Sequence, residues 1–338
     1  MIIYADAGTR IDLAGGTLDI FPLYLFEDFG ITVNAAVDLN SSVRLATRKD
    51  GKVVLIAEDL DLIEEAPSLE ELEPSGVMDL VARILKFYQP KQGLEVTTRN
   101  SVPKGSGLGA SSSLLISLSS ALVRLSGKKL DPEKLIDHGA NIEAQSIRIP
   151  TGKQDYYPPM YGGFNALWFG ISGVRREKLT LSRRFRHALQ ERLVLSFTGE
   201  SRFSGTSNWN MMKKYIDDSG NTVEKMKQIK QTAVQMHRAL LDRQLDSFGR
   251  LLDREWANRK ELAEGVTNAR IDRVVSAARR AGAISSKICG AGGGGCMISF
   301  VKQGRREAVS RALAEAGASV LDYRFRESGV RVRVERTS

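Results

Sequence analysis

Apolar positions recur with a period of two along much of the first third of the chain. Residues 31–37 read as apolar and extended and 41–47 alternate, while 52–56 are rich in β-branched residues after an Asp50-Gly51 turn. This pattern predicts the strands of a hairpin sheet. The period then changes. Val77, Leu80, Val81, Ile84 and Leu85 recur at helical spacing, and Leu94, Val96 and Thr98 return to alternation just before a glycine-rich loop that begins at Ser101. From Ser111 the positions Leu114, Leu115, Leu118, Ala121, Leu122 and Leu125 mark a helix that stops at Gly127. Asp131-Pro132 opens another helix, carrying Ile136, Ala140 and Glu143. Residues 162–169 read as an apolar, aromatic strand, and 170–178 are the least apolar stretch in the middle of the chain, which places a lobe boundary near residue 175. Beyond it the pattern predicts helices over 206–217, 222–240, 243–260, 268–281 and 304–316. Strands are expected over 284–289, 296–301, 319–325 and 329–335. The fold class is therefore α+β in two lobes, 1–175 and 176–338.

Composition narrows the class of protein. With 338 residues, 42% hydrophobic and 26% charged, the chain can bury a sizeable core. No run of about 18 uncharged apolar residues occurs, and residues 1–11 carry Asp6 and Arg10, so neither a membrane span nor a secretory leader is expected. Two cysteines, Cys289 and Cys296, are too few for a disulfide scaffold and suit a reducing cytoplasm. His138, His187 and His237 lie far apart in sequence, so a bound metal is expected to have oxygen ligands. The formal charge of +9 fits an enzyme that attracts anionic substrates. Nucleic acid is not expected as a partner, since no zinc finger or aromatic-rich basic motif is present. The arginine-rich segments 183–192 and 324–336 read as solvated faces.

Two glycine loops carry the candidate chemistry. Pro103-Lys104-Gly105-Ser106-Gly107-Leu108-Gly109-Ala110-Ser111-Ser112-Ser113 follows a strand and opens a helix, a setting in which backbone N–H groups suit phosphate oxygens. Serines on the first helical turn add hydroxyls within reach of phosphate or Mg2+. Gly105, Gly107 and Ala110 fit a dinucleotide fingerprint, but no acid follows about 20 residues later to hold a ribose, and no Walker-type P-loop string occurs. The second loop, Gly290-Ala291-Gly292-Gly293-Gly294-Gly295, lies between two apolar strands. So many glycines point to close backbone approach to a ligand or another segment, with a flexible hinge as the alternative.

These loops, together with 7–19, Ala-Gly-Thr-Arg-Ile-Asp-Leu-Ala-Gly-Gly-Thr-Leu-Asp, resemble the three motifs of the GHMP kinase superfamily in the order expected and across essentially the whole chain. Three further strings are most similar to sugar 1-kinases of the heptose 7-phosphate kinase type: the Arg10-to-Asp19 form of the first motif, Gly152-Lys153-Gln154-Asp155 followed by 161–165, and Thr198-Gly199-Glu200-Ser201-Arg202. Similar strings occur in fucose and glucuronate kinases. The resemblance implies an N-terminal lobe like domain 2 of ribosomal protein S5 and a C-terminal lobe related to the ferredoxin-like fold. It implies ATP and Mg2+, with Lys104, Gly105, Ser106, Gly107, Leu108, Gly109, Ser111 and Ser112 at the nucleotide, and Ser111 and Glu143 as metal ligands. Asp155 would accept the proton of the attacking hydroxyl, with Arg10 beside it keeping that carboxylate ionised and stabilising the transferring phosphoryl group. Gly15, Gly16, Thr17 and Asp19 would form the sugar-binding turn. Lys153, Arg202, Gly292 and Gly293 complete the expected substrate contacts, with Arg202 placed to hold the phosphate of a sugar phosphate. Many relatives read Gly-Leu-Gly-Ser-Ser, whereas this chain has Ala110, so a phosphate contact from a hydroxyl there does not transfer.

The expected partner is a small sugar or sugar phosphate, with two copies of the chain in a homodimer. The rival readings are another small-alcohol kinase of the same fold and a catalytically silent sugar and nucleotide sensor.

Overall fold

The computed structural model describes residues 1–200 and 204–335. The chain begins with β1 (Ile2–Ala14), a short α1 (Leu23–Phe26) and β2 (Gly30–Arg48), followed by β3 (Val53–Ala57), β4 (Leu62–Ala66), α2 (Asp79–Tyr88) and β5 (Gly93–Asn100). Then come α3 (Ala110–Leu125), α4 (Pro132–Ile147), α5 (Tyr157–Tyr161), β6 (Phe164–Gly170), β7 (Gly173–Leu179), α6 (Arg183–Arg192) and β8 (Leu193–Phe197). The remainder is α7 (Ser204–Ile216), α8 (Thr222–Leu241), α9 (Leu245–Arg259), α10 (Ala269–Ala281), β9 (Ala283–Ile288), β10 (Cys296–Val301), α11 (Arg306–Glu315), β11 (Ser319–Leu321) and β12 (Arg331–Glu335).

An eight-stranded sheet runs β12-β1-β2-β5-β3-β4, with β6 branching from β2 and β7 pairing β6. The branch follows from the length of β2, whose first part pairs β6 from Gly30↔Phe169 to Ala35↔Phe164 and whose second part pairs β5 from Ser41↔Asn100 to Arg48↔Gly93. β1 lies against both parts, with register shifts at Gly8/Thr9 and Asp12/Ala14 that bend it around the site described below. A second, four-stranded antiparallel sheet has the order β11-β8-β10-β9.

Three apolar clusters hold these layers together. One lies under the first sheet and α2 to α5, through residues such as Leu45, Val96, Leu118 and Ile136. Another packs α10 and α11 against the second sheet. The third belongs to both sheets: Ile11, Leu13, Ile31, Val33 and Phe164 meet Leu193, Leu195, Ile298 and Phe300, closed by Met236 of α8 and by Phe248 and Leu252 of α9. Helix ends follow local chemistry. Asp131 caps α4 by accepting from the Lys134 N–H, with proline next in line, and Asn268 caps α10 by accepting from the Ile271 N–H.

The division expected at residue 175 falls inside β7, which extends the first sheet through β6, and β12 returns from the far end of the chain to pair β1. The arginine-rich segments are not simply solvated. Phe185 and Leu189 of α6 are buried, and the Arg192 guanidinium lies over the Phe300 ring with its Nε donating to the Val301 carbonyl. Arg326 is buried and donates to Asp6, Asn40 and the Ser328 and Gly329 carbonyls, tying the last strands to β1.

Candidate active site

The two glycine loops lie against each other at the joint between the sheets. The Cys296 N–H donates to the Ser106 carbonyl at 2.6 Å, and a Cβ on Gly107 would stand 2.5 Å from the Cys289 carbonyl oxygen. Gly107 and Gly109 both have positive φ, +69° and +73°, which lets the loop turn back on itself before entering α3. Among the described residues no side chain caps the amino end of α3, which leaves its first N–H groups without a side-chain acceptor beside the loop. Ser106 Oγ is buried without a hydrogen-bond partner among the described residues. An uncapped helix start, a glycine turn and an orphaned hydroxyl together suit a polyphosphate. Lys104 is exposed at the loop's edge, while Leu108 is buried and its carbonyl accepts from the Arg10 N–H at 2.9 Å.

Arg10, on β1, is almost fully buried and points at Asp155. Its Nε donates to Asp155 Oδ1 at 2.8 Å and its Nη2 lies 2.6 Å from the same oxygen, while Nη1 donates to the Gly107 carbonyl. Burial works against the guanidinium charge, but Asp155 and Asp12 outweigh it and push its pKa above the ordinary value. The other oxygen, Asp155 Oδ2, has no hydrogen-bond partner among the described residues and would lie 3.5 Å from a Cβ on Gly109. The carboxylate therefore sits under the glycine loop, one oxygen fixed and one open.

Glu143 of α4 is buried beneath the start of α3. It accepts hydrogen bonds from Ser111 Oγ, from Ser112 Oγ at 3.0 Å and from the Tyr156 hydroxyl. Burial pushes its pKa up against the pull of these hydroxyls, so the carboxylate is poised to gain from a cation beside it. An exposed serine hydroxyl next to a carboxylate forms an oxygen pair that fits Mg2+.

Asp19 closes the opposite side. Its Oδ2 accepts from the Gln154 N–H at 3.0 Å, its Oδ1 from Gln154 Nε2 at 3.3 Å, and a Cβ on Gly152 would fall 1.9 Å from Oδ2. Burial and then the charge of Asp155 push its pKa up to about 6. Gln154 Oε1 is buried without a partner among the described residues. The turn before Asp19 is equally close-packed: a Cβ on Gly15 would lie 1.9 Å from the Ile31 carbonyl oxygen, and one on Gly16 would lie 2.5 Å from Arg259 Nη2.

The geometry departs from expectation at several residues. Lys153 turns away to pair with Asp137 at 2.7 Å. Gly292 and Gly293 are buried against Val266, whose carbonyl takes the Gly293 N–H at 2.7 Å, so that N–H is not free for a ligand. Ser113 binds the Ala7 carbonyl and ties α3 to β1. Arg202 lies outside the described residues. The sequence reading also missed a buried group of charges at the same joint: Asp12 with Lys287 at 2.8 Å, and Glu255 with Arg259 at 3.3 Å. The signal was available in α9, where Glu255 and Arg259 share the face of Phe248, Leu252 and Trp256.

A two-sheet molecule that sets a glycine loop at a helix start against a buried carboxylate and an Arg–Asp pair is a phosphotransferase of the sugar and small-alcohol type. Residues 59–163 match the GHMP kinases N-terminal domain and residues 236–319 the GHMP kinases C-terminal region. The chain is 30% identical over 328 residues to a D-glycero-alpha-D-manno-heptose 7-phosphate kinase of Campylobacter jejuni, covering 95% of this chain and 96% of that protein. It is 26% identical over 276 residues to a mevalonate kinase of Methanothermobacter thermautotrophicus, covering 79% and 82%. Among solved structures, a D-glycero-D-manno-heptose 1-phosphate kinase from Bacteroides thetaiotaomicron superposes with a TM-score of 0.81 at 26% identity, over 99% of this chain and 100% of that one. A galactokinase of Lactococcus lactis in complex with galactose shares the fold, with a TM-score of 0.76 at 20% identity over 98% and 95%. The chain belongs to the GHMP kinase family, whose members use ATP as phosphate donor, generally with Mg2+. No helix among the described residues is long and apolar enough to cross a membrane.

Proposed function

We propose that this kinase transfers the γ-phosphoryl group of ATP, with Mg2+, to the anomeric hydroxyl of a heptose 7-phosphate. The observation that carries the reading is the Arg10–Asp155 pair, which lies under the phosphate loop on one side and within Coulombic reach of Asp19 on the other. The N–H groups of Gly105, Gly107 and Gly109 and of the first turn of α3 hold the triphosphate, while the Ser106 N–H is already donated to the Pro103 carbonyl. Ser111 and Glu143 hold Mg2+, which supplies charge neutralisation as the phosphoryl group moves. Asp19, fixed by Gln154, accepts hydrogen bonds from sugar hydroxyls and orients the ring. Asp155 Oδ2 takes the proton of the attacking hydroxyl, while Arg10 holds Oδ1 and its charge stabilises the transferring phosphoryl group. Arg202 is assigned to the remote phosphate. The 30% identity to a heptose 7-phosphate kinase over nearly the whole chain supports the acceptor class.

A coupled ADP-release assay with ATP, Mg2+ and a panel of D-glycero-D-manno-heptose 7-phosphate, free hexoses, L-fucose, glucuronate and mevalonate tests this. Turnover with the heptose phosphate at least tenfold above every free sugar is expected. Preference for fucose, glucuronate or mevalonate would replace the acceptor, and loss of the phosphate preference would remove Arg202 from its role.

A further inference from the structure

The group of buried charges between the sheets has no direct part in this chemistry, yet two of its members, Glu255 and Arg259, are bonded to the backbone of the ligand loops. Glu255 Oε1 accepts from the Gly15 N–H at 3.1 Å. Arg259 Nη1 donates to Thr17 Oγ1 and to the Gly290 carbonyl, both at 3.3 Å, and Nη2 lies 3.3 Å from Glu255 Oε1. Lys287 Nζ donates to the Asp12 carbonyl at 2.9 Å. Gly290 leans in turn on the phosphate loop, since a Cβ there would stand 3.1 Å from the Gly107 carbonyl, the oxygen that Arg10 also binds. All four charged side chains are buried and paired with one another, Asp12 with Lys287 and Glu255 with Arg259.

Two further features point to positioning rather than cohesion. Burying ion pairs is costly, and apolar side chains would join the sheets as well, as the neighbouring shared cluster does. Thr17 also has φ +77°, a conformation that a β-branched residue keeps only when its surroundings hold it there, and Arg259 is bonded to its hydroxyl.

We propose that Arg259, braced by Glu255, is a positioning residue that couples the sugar-binding turn at Gly15–Thr17 to the phosphate loop at Gly107 through Gly290. The proposal rests on the preceding assignment of those two segments to acceptor and donor. A fixed spacing between them decides whether the sugar hydroxyl or water meets the phosphoryl group, because a displacement of about 1 Å can cost about 100-fold in rate.

Two measurements test it. In the first, hydrogen–deuterium exchange of the wild-type protein is followed with and without ATP–Mg2+. Slower exchange over residues 12–19 is expected on nucleotide binding, and that protection should be lost in Arg259→Lys, whose shorter side chain ends in one nitrogen and cannot serve Thr17 and Gly290 while also pairing with Glu255 as the guanidinium does through Nη1 and Nη2. This arm needs no acceptor, so it stands even if the heptose phosphate proves wrong. In the second, ADP released is compared with acceptor phosphorylated. Wild type should release one ADP per product, whereas Arg259→Lys should keep its KM for ATP, lose about tenfold or more in kcat and release excess ADP. Glu255→Gln retains the acceptor for Gly15 and should shift the same quantities in the same direction, which covers a failure of Arg259→Lys to fold. A purely structural role would lower thermal stability and active fraction while leaving the ADP ratio and the nucleotide-dependent protection unchanged. That result, or wild-type exchange over 12–19 that ignores ATP, overturns the proposal.

Discussion

Asp19 offers a test of the acceptor pocket that reads folding stability rather than turnover. Its carboxyl has an ordinary value of 3.8 and is pushed up to about 6 in the folded protein, first by burial and then by the charge of Asp155. The folded state therefore binds a proton that the unfolded state releases. The sign follows directly: stability from the protonated form is fully present below the unfolded value and is lost as pH rises through the folded one. At 1.36 kcal/mol per unit, the shift corresponds to about 3 kcal/mol, most of it lost between about pH 4 and about pH 7. Asp19→Asn cannot ionise and should escape this loss. It also forfeits part of the Gln154 hydrogen bonding, about 1 kcal/mol, but that offset does not vary with pH. Urea unfolding of both proteins across this range, taken as the difference at each pH, cancels the titrating groups that do not interact with Asp19. The variant should gain on wild type by about 2–3 kcal/mol from the acid to the neutral end. A flat difference would show that Asp19 ionises normally and is not buried against Gln154 and Asp155 as described. In turnover, acceptor KM for wild type should rise as pH falls below about 6, because a protonated Asp19 has lost an acceptor for sugar hydroxyls, while KM for ATP stays level.

The remaining predictions concern the reacting groups. Asp155→Asn should lower kcat by about 100-fold or more while nucleotide affinity, read by fluorescence titration, changes little; near wild-type turnover removes the base assignment. Ser111→Ala and Glu143→Gln should each raise the Mg2+ concentration needed for half-maximal activity, and unchanged titrations in both would sink the ligand pair. Arg202→Ala should weaken the sugar phosphate by about 1.5–3 kcal/mol, the range for a hydrogen bond to a charged group, with KM for ATP unmoved. Equal loss for a free sugar and its phosphate would assign that guanidinium elsewhere.

Legibility along the chain tracked how local the cause was. The helices from Ala110, Pro132 and Ala269 could be read because caps, breakers and apolar spacing lie within a few residues of one another. β1 was read as a motif and not as a strand, since both its partners, β2 and β12, are supplied from elsewhere in the sequence. The lobe boundary near 175 followed a fall in apolar content, yet that fall lies in β7, a strand of the first sheet paired to β6, whose side chains are largely exposed to solvent and therefore polar. The surface reading of the arginines failed for a related reason: Arg326 becomes buried only once Asp6 and Asn40, some 300 residues away, come round to receive it.

The site shows the same division, with a sharper consequence. The loop proposed to hold the triphosphate is a single contiguous string of glycines at a helix start, so its candidacy can be read from sequence alone. The proposed acceptor side is assembled across the whole chain: Asp19 is set by Gln154, Gly15 by Glu255 and Asp12 by Lys287, at separations of 135, 240 and 275 residues. A carboxylate and a guanidinium on the apolar face of α9 were the visible sign of that assembly, because charges placed among Phe248, Leu252 and Trp256 must find partners on whatever element packs there. The partners they find are the backbones of the sugar turn and the second glycine loop. Donor recognition can therefore be kept by a local string while acceptor choice depends on how the two sheets meet. Substitutions at Glu255 and Arg259, which lie outside all three motifs, are therefore where the proposed sugar turn would be moved while the string of the proposed phosphate loop is kept.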